Sequence, residues 1–284
     1  MIQIILETQT GEKLPLTRDL GYVIKGIDGL SPQEATVNFS QSIRVYGRTH
    51  TGSSMSGRDI TIQLYIEKEP EKARKAIYSI ARPGEQLTVH IIDTDKHYKA
   101  SGYVSTVDVG YFESLTTAQI AVQCESPYLS VDKTTRTIGS NTIKKFQFPI
   151  HTNENESFVF GCTQDTTRLV VKNNGEVETG AVFRLTVSQT VENPIIMNIN
   201  SGMSMGIKGE LKSDEILEIS TESGKRKIHI VDRQTGAKTN ALAKKSDIFD
   251  WLQVSTGENI FEVICTGSAK ISLECSFTEL ALGV

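Results

Sequence analysis

Apolar and polar residues alternate along much of the first half of the chain. The alternation runs through the segments ATVNFS (35–40), DITIQLYIE (59–67), QLTVHIID (86–93) and TTAQIAVQC (116–124). A period of two is typical of strands that bury one face. We therefore predict a half-buried β-strand in each of these segments.

One stretch between these strands has a helical period instead. In EPEKARKAIYSIARPGE, Pro70 fits the first turn of a helix, because its φ is fixed and it has no N–H to leave unpaired. Apolar residues then recur at i, i+3, i+4 and i+7, as Ala73, Ala76, Ile77 and Ile80. Pro83-Gly84 ends the pattern. The sequence predicts one short amphipathic helix that packs its apolar stripe on a sheet.

The pattern changes after residue 132. The segment KTTRTIGSNTIKK (133–145) is rich in Thr, Ser and Asn, which indicates a linker. Short strand-like segments with hairpin turns such as NNGE follow, and this pattern is typical of a β-sandwich. We predict a mainly β fold: a β domain with one helix over 1–132, a linker over 133–145 and a β-sandwich over 146–284.

The segment RVYGRTHTGSSMSG (44–57) is the longest polar interruption in the first half. A loop of this length between strands is either mobile or in contact with a partner. One interpretation is a two-stranded arm that reaches off the body, and the other is a solvated loop without a role. The candidate contact residues of such an arm are Arg44, Tyr46, Arg48, His50 and Met55.

Length and composition agree with two folded domains. The chain has 284 residues, of which 38% are hydrophobic and 23% charged, enough for packed cores. The net charge of -4 argues weakly against a nucleic-acid-binding surface. The first residues lack the basic and apolar regions of an export signal, and no segment has the ~20 apolar residues of a membrane span. We expect no membrane insertion.

The four cysteines match no CxxC pattern: they are Cys124, Cys162, Cys265 and Cys275. We interpret them as free thiols in a reducing cytoplasm, with a Cys265–Cys275 disulfide between neighbouring strands as the alternative. Cys124, in QCESPYLSVD, is also a candidate nucleophile, which would need a nearby cation or helix N-terminus to lower its pKa. Its place at the end of an alternating strand favours a buried, apolar role.

No catalytic constellation stands out. GSSMSG (52–57) is neither a G-x-S-x-G elbow nor a phosphate-binding loop. Asp93, Asp95 and His97 occupy alternate positions, so in an extended segment they would share a face and offer ligands to a hard metal ion. The alternative is a hairpin tip, where Asp is favoured. We predict no catalytic residue, no cofactor and no metal.

Carbohydrate binding by the second domain is an alternative function. Phe249 and Trp251 alternate, so both side chains can point the same way and stack on a sugar ring. They can equally cap the core, where large aromatic side chains contribute most burial. Ile248, Leu252 and Val254 make the opposite phase apolar too, as expected for a segment that is covered on both sides. This second pattern favours the core.

Several short motifs occur in a characteristic order. They are Gly26-Ile27-Asp28-Gly29-Leu30 with Pro32, Gly57-Arg58 before a strand, Pro83-Gly84, Gly102-Tyr103, Cys124 with Pro127-Tyr128, and, in the second half, VKNNGEVETGAVFRLTV and STGENIFEVIC. Over nearly the whole chain this order resembles the distal tail protein family of long-tailed bacteriophages. The resemblance implies a split β-barrel-like N-terminal domain with a packed helix and a galectin-like C-terminal β-sandwich.

The resemblance also implies a structural function and no enzymatic activity. Such subunits form a homo-hexameric ring, built mainly by the N-terminal domains, around a channel that DNA passes through. The ring connects the tail tube protein to the tail-associated tip protein and, in some systems, to receptor-binding proteins. The implied location is the virion tail tip, after assembly in the host cytoplasm. Some relatives carry inserted carbohydrate-binding modules, for which the short turns here leave no room.

Overall fold

A computed structural model describes residues 2–41, 46–94, 96–111, 115–139, 141–143, 162–164, 168–267 and 269–284. The chain divides into two compact units, unit 1 (Met1–Asp132 with Leu280–Val284) and unit 2 (Lys133–Glu279). Each unit has its own hydrophobic core. Among the described residues, no helix is long and apolar enough to cross a membrane.

Unit 1 consists mainly of antiparallel strands. Its elements are β1 (Gln3–Thr8), β2 (Lys13–Pro15), a 3₁₀ turn (Arg18–Leu20), β3 (Tyr22–Asp28), β4 (Ala35–Ser40), β5 (Thr49–Met55), β6 (Arg58–Ile66), α1 (Pro70–Ile80), β7 (Gln86–Ile92), β8 (His97–Val109), β9 (Thr116–Cys124) and the beginning of β10 (Leu129–Gly139). The main sheet has the order β2-β1-β7-β8-β9-β6-β3, and the first residues of β10 pair with β8. Strands β4 and β5 pair with each other in a separate sheet.

Three of the alternating segments are half-buried strands, as predicted. In β7, the side chains of Leu87, Val89 and Ile91 are fully buried in the core of unit 1. Strands β6 and β9 pair along their whole length, from Arg58 opposite Cys124 to Ile66 opposite Thr116. Alternation therefore identified both the strands and their inward faces.

The predicted helix is confirmed as α1. Ala73, Ile77 and Ile80 are buried, whereas Ala76 is half-buried at the edge of the stripe. The Tyr22 hydroxyl donates a hydrogen bond to the Ala73 carbonyl at 3.2 Å, which ties the helix to β3. The stripe is part of the core of unit 1.

Unit 2 has two antiparallel sheets that share a core. Its strands are the remainder of β10, β11 (Asn141–Ile143), β12 (Cys162–Gln164), β13 (Arg168–Asn173), β14 (Ala181–Val187), β15 (Val191–Asn198), β16 (Ser204–Gly206), β17 (Glu210–Leu211), β18 (Glu215–Ser220), β19 (Lys227–Asp232), β20 (Lys238–Asn240), β21 (Gly257–Thr266) and β22 (Ile271–Ala281), with a 3₁₀ turn at Leu242–Lys244. One sheet has the order β10-β22-β14-β18-β19-β20, the other β13-β21-β15-β16 with β17 on β15, and β11 pairs with β12 separately. Phe183 and Phe261, one from each large sheet, meet edge to face at 5.0 Å between ring centroids. The mainly β fold is confirmed, and the galectin-like detail stays a prediction.

Two predicted boundaries differ from the structure. The linker predicted over 133–145 is wrong for most of its length, because β10 continues to Gly139 and β11 follows. Threonine suits a strand as well as a loop, since its branched side chain packs on a pleated surface. The sandwich predicted to reach residue 284 ends earlier, because Leu280–Val284 returns to unit 1 and places Ala281 in that core.

We predict that Ile77→Ala destabilises unit 1 by about 2–5 kcal/mol, because it removes a fully buried side chain and leaves a cavity under α1. Urea unfolding followed by circular dichroism measures the change. The exposed Lys75 of the same helix provides the control, and Lys75→Ala is expected to change the free energy of unfolding by less than about 0.5 kcal/mol. Equal effects of the two substitutions would contradict the packing described for the helix.

Candidate functional site

The hairpin of β4 and β5, called the arm below, has one polar and one partly apolar face. Its register places Ala35 opposite Met55, Val37 opposite Ser53 and Phe39 opposite His50. Alternate residues of a strand point to the same side, so these side chains share a face. The other side of β4 carries Thr36, Asn38 and Ser40. The arm is therefore amphipathic.

The apolar face of the arm is open to solvent. Val37 is 47% exposed and Phe39 is 53% exposed. The Phe39 ring meets the His50 ring edge to face at 5.9 Å between centroids, and His50 Nε2 lies 2.8 Å from Ser53 Oγ. Neighbours within the arm thus order these side chains without covering them.

The arm prediction holds in its main feature and fails in one detail. Residues 49–55 pair with 35–40 as a two-stranded ribbon, which is the first of the two interpretations of the loop. However, 35–40 was predicted to be half-buried, and every residue of β4 is exposed. The alternation is real, but among the described strands β4 pairs only with β5, and every side chain of β4 is exposed.

The predicted contact residues have different environments. Arg44 lies outside the described residues. Tyr46, Arg48 and His50 are exposed, and Met55 is half-buried at the base of the arm. Val37 and Phe39, which form the exposed apolar face of the arm, were not among the predicted contact residues, although their period-two spacing lies next to the long polar segment.

A buried arginine holds the base of the arm. Arg58 begins β6, three residues after the end of β5, and its side chain is 0% exposed. Nη1 donates to the carbonyls of Gly29 and, at 3.1 Å, Ser31, just before β4 begins. Both ends of the arm are therefore attached to one guanidinium.

The same guanidinium binds two more segments of unit 1. Nε and Nη2 donate to the Pro127 carbonyl at 3.0 and 2.8 Å, and Nη2 also donates to the Leu282 carbonyl at 2.6 Å. The Val284 amide donates to the Leu30 carbonyl at 3.1 Å. All five N–H donors of Arg58 thus have carbonyl partners. We call Arg58 and the four carbonyls of Gly29, Ser31, Pro127 and Leu282 the carbonyl cage.

Two glycines make room for the cage. Gly29 has φ +87°, and a Cβ there would lie 2.0 Å from the Asp59 carbonyl oxygen. A Cβ at Gly57 would lie 2.2 Å from the Cys124 carbonyl oxygen. Any side chain at either position would force the backbone beside Arg58 to move. The motifs Gly29, Gly57-Arg58, Cys124 and Pro127, which are far apart in sequence, therefore meet at one place.

Burial governs the ionisation of this region. It lowers the pKa of Arg58, and among the described residues no carboxylate forms a salt bridge with the guanidinium. Burial also raises the pKa of the Cys124 thiol to about 11, although the charge of Arg58 opposes the shift. A protonated thiol is a poor nucleophile. Cys124 is 6% exposed, which confirms the prediction of a buried, apolar cysteine.

The other candidate residues do not form a reactive site in the described parts of the chain. Asp93 lies at the tip between β7 and β8, where its amide donates to the Lys96 carbonyl at 3.0 Å, and Asp95 is outside the described residues. His97 Nδ1 contacts Asp132 Oδ2 at 2.9 Å. Among the residues described, no group of three or more His, Cys, Asp or Glu is placed to hold a metal ion.

The aromatic pair of unit 2 packs on its core. Phe249 and Trp251 meet edge to face at 5.0 Å between centroids, and both are half-buried against the core. The guanidinium of Arg226 lies 5.7 Å from the Trp251 ring centroid. The core interpretation is confirmed for these two rings, but Ile248, predicted to be covered, is 74% exposed. Cys265 and Cys275 are free thiols.

Two comparisons with known proteins find phage tail components to which parts or all of this chain are similar. Residues 174–279 match the family model of the siphovirus-type tail component, C-terminal domain. The Dit protein (gp 19.1) of phage SPP1, a paradigm of the hub adsorption apparatus in phages that infect Gram-positive bacteria, has a similar fold over 97% of this chain and 98% of that chain, with a TM-score of 0.63 and 10% identity. A chain of the phage P2 baseplate in its activated conformation matches over 96% and 98%, with a TM-score of 0.47 and 11% identity. No curated protein sequence matches the chain.

These comparisons confirm the resemblance to phage distal tail proteins. The family model matches part of unit 2 by sequence, and the SPP1 Dit structure has a similar fold over nearly the whole chain.

We predict that Arg58→Lys destabilises unit 1 by at least about 1–3 kcal/mol. A lysine has three donors on a single nitrogen, so some of the four caged carbonyls would lose their partners, at about 1–3 kcal/mol each. Chemical unfolding monitored by near-ultraviolet circular dichroism measures the loss. The matched control is Arg82→Lys, since Arg82 is a solvent-exposed arginine, in a pair with Glu85 at 3.7 Å. Equal stabilities of the two variants would show that the cage contributes little.

Proposed function

We propose that this chain, a Dit-like structural component of a phage tail, assembles as a homo-hexameric ring at the tail tip. Unit 1 forms most of the ring, and the arm of each subunit binds the next subunit. The ring connects the tail tube protein to the tail-associated tip protein and to receptor-binding proteins, and DNA passes through its channel. Assembly takes place in the cytoplasm of the host bacterium.

The exposed apolar face of the arm is the observation that carries this proposal. Val37 and Phe39 are large apolar side chains that water contacts in the isolated subunit. Burying one such side chain contributes about 1.5–3 kcal/mol. A second copy of the chain is the simplest partner, since a ring requires each subunit to present a surface that matches a different surface of its neighbour.

The carbonyl cage supports the same proposal. A two-stranded ribbon is only marginally stable by itself in water. Here the Arg58 guanidinium fixes the backbone at both ends of the ribbon. A partner that binds the arm therefore needs to order less of the chain, and association loses less conformational entropy.

Carbohydrate or cell-surface binding is not favoured as a second function. It depended on a free stacking face at Phe249 and Trp251, and these rings are packed against each other and against the core of unit 2. Arg226 lies near the Trp251 ring as well.

We predict that Phe39→Ser weakens subunit association about thirtyfold for each contact, corresponding to about 2 kcal/mol of lost apolar burial. Light scattering coupled to size exclusion, with negative-stain images, measures the oligomer over a concentration series. The wild-type chain is expected to form six-membered rings and the variant smaller species. Unfolding temperatures measured at dilutions where both chains are monomeric should match, because the substituted side chain is exposed in the subunit.

Asn38→Ser is the matched control, since Asn38 lies on the polar side of the same strand. It should assemble like the wild type. A wild-type chain that stays monomeric at high concentration and with its tail partners would rule out the ring. Rings that persist in Phe39→Ser would show that the arm is not the contact.

A further inference from the structure

A line of four titratable side chains crosses the main sheet of unit 1. Glu7 Oε2 lies 2.5 Å from His90 Nε2, His90 Nδ1 lies 2.9 Å from His97 Nε2, and His97 Nδ1 lies 2.9 Å from Asp132 Oδ2. The residues belong to β1, β7, β8 and β10 in turn. Asp132 is the last residue of unit 1 before the chain enters unit 2. We call this line the histidine relay.

The geometry of the relay fixes how many protons it holds. Both outer nitrogens face carboxylates, so His90 Nε2 and His97 Nδ1 must each carry a hydrogen. The central contact joins two ring nitrogens, and it is a hydrogen bond only if one of them carries a hydrogen and the other does not. The two rings together therefore hold three protons and one positive charge. If the two rings hold only two protons, the lone pairs of His90 Nδ1 and His97 Nε2 face each other and no hydrogen bond forms. If they hold four, two N–H groups face each other and again no hydrogen bond forms.

The buried ring is the neutral one. His90 is 2% exposed, and burial lowers its pKa, although the hydrogen bond from its ring to Glu7 opposes this shift. His90 therefore keeps a single hydrogen on Nε2 and accepts at Nδ1. The third proton resides on His97, which donates to His90 on one side and to Asp132 on the other.

The surrounding charges keep both carboxylates ionised. The hydrogen bond from His90 lowers the pKa of Glu7, with Lys13 adding to the effect. The hydrogen bond from Lys99 lowers the pKa of Asp132, and His97 adds to it. Among the described residues, the charged or titratable groups that face the relay from the strands packed around it are Glu7 of β1, Lys13 of β2, His90 of β7, His97 and Lys99 of β8 and Asp132 of β10.

We infer that the histidine relay is a pH-sensitive latch that holds the beginning of β10 against β8, closed when the two rings share three protons and weakened when one is added or removed. The backbone pairing of β10 with β8 here is short, with Ser130 opposite Lys99 and Val131 opposite Tyr98. The Asp132 side chain adds contacts with His97 and Lys99 at this end of the strand. The inference does not depend on ring formation.

The direction of the pH response follows from the proton count. Below the ordinary histidine pKa of about 6.5, an opened relay takes up a fourth proton, so acid favours opening. Above that value, an opened relay releases the third proton, so alkali also favours opening. At still lower pH the two carboxylates, whose pKa values are lowered in the closed relay, take up protons on opening and add to the acid effect. Closure is strongest near pH ~6.5.

Hydrogen exchange read by mass spectrometry on the full chain tests the latch between pH 5 and 8. After correction for intrinsic exchange, protection of peptides covering 86–103 and 126–136 should peak near pH ~6.5 and fall by up to about tenfold per pH unit on each side, one proton being exchanged per opening. Peptides of β6 and β9, whose ends meet at Arg58, serve as internal controls and should show no such peak.

Two substitutions separate the two sides of the peak. His90→Gln keeps one donor and one acceptor but removes the ring that takes up the fourth proton, so the acid side should flatten. His97→Gln removes the ring that holds the third proton, so the alkaline side should flatten while the acid side remains. Flat wild-type protection, or both sides persisting in both variants, would overturn the inference. Stoichiometric binding of Zn²⁺, measured by calorimetry and lost in His97→Gln, would also overturn the inference. In that case a metal ion, and not a proton, would join the two rings.

Discussion

A buried guanidinium whose partners are all backbone carbonyls is the constraint on which the rest of unit 1 depends. Removing such a charge from water costs several kcal/mol, and no carboxylate among the described residues offsets it. The compensation comes from carbonyl dipoles of Gly29, Ser31, Pro127 and Leu282, which must all stay in place. Displacing any one of these segments leaves part of the charge unsolvated. The carbonyl cage therefore makes the base of the arm, the end of β9 and the last residues of the chain stable only together.

The cage also explains how an exposed ribbon can have a defined shape. The arm offers Val37 and Phe39 to solvent, which costs stability in the free subunit. When a partner buries Val37 and Phe39, association regains this free energy. Because the base of the arm is already fixed, less conformational entropy is lost on binding. A free two-stranded hairpin with the same apolar face would lose more conformational entropy on binding, because it would have to become ordered first. An apolar face that is not held in one position would also bind less selectively.

The periodicity of apolar residues correctly predicted the helix and the strands that pack on the core of unit 1. The stripe of Ala73, Ile77 and Ile80 and the alternation of β6, β7 and β9 follow from packing against a sheet that the chain does build. The same alternation in β4 led to a wrong prediction. Alternation shows which side chains lie on the same face of a strand, but it does not show whether another element buries that face. The motif Gly57-Arg58 was visible in the sequence, but its role depends on carbonyls 69 and 224 residues away. The histidine relay was missed for the same reason, since Glu7 and His90 are 83 residues apart.

The cage and the relay each hold a segment of unit 1 that borders unit 2 in the sequence. The last residues return to unit 1 through Leu282 at the cage, and β10 leaves it at Asp132 in the relay. Their chemistry differs in one respect. An arginine stays charged across the accessible pH range, so the stability of the cage does not depend on pH. The contact between two histidines does depend on pH, because it forms only when the two rings hold three protons. Because arginine fixes the base of the arm and histidine holds the beginning of β10, the arm stays fixed at pH values that weaken the latch.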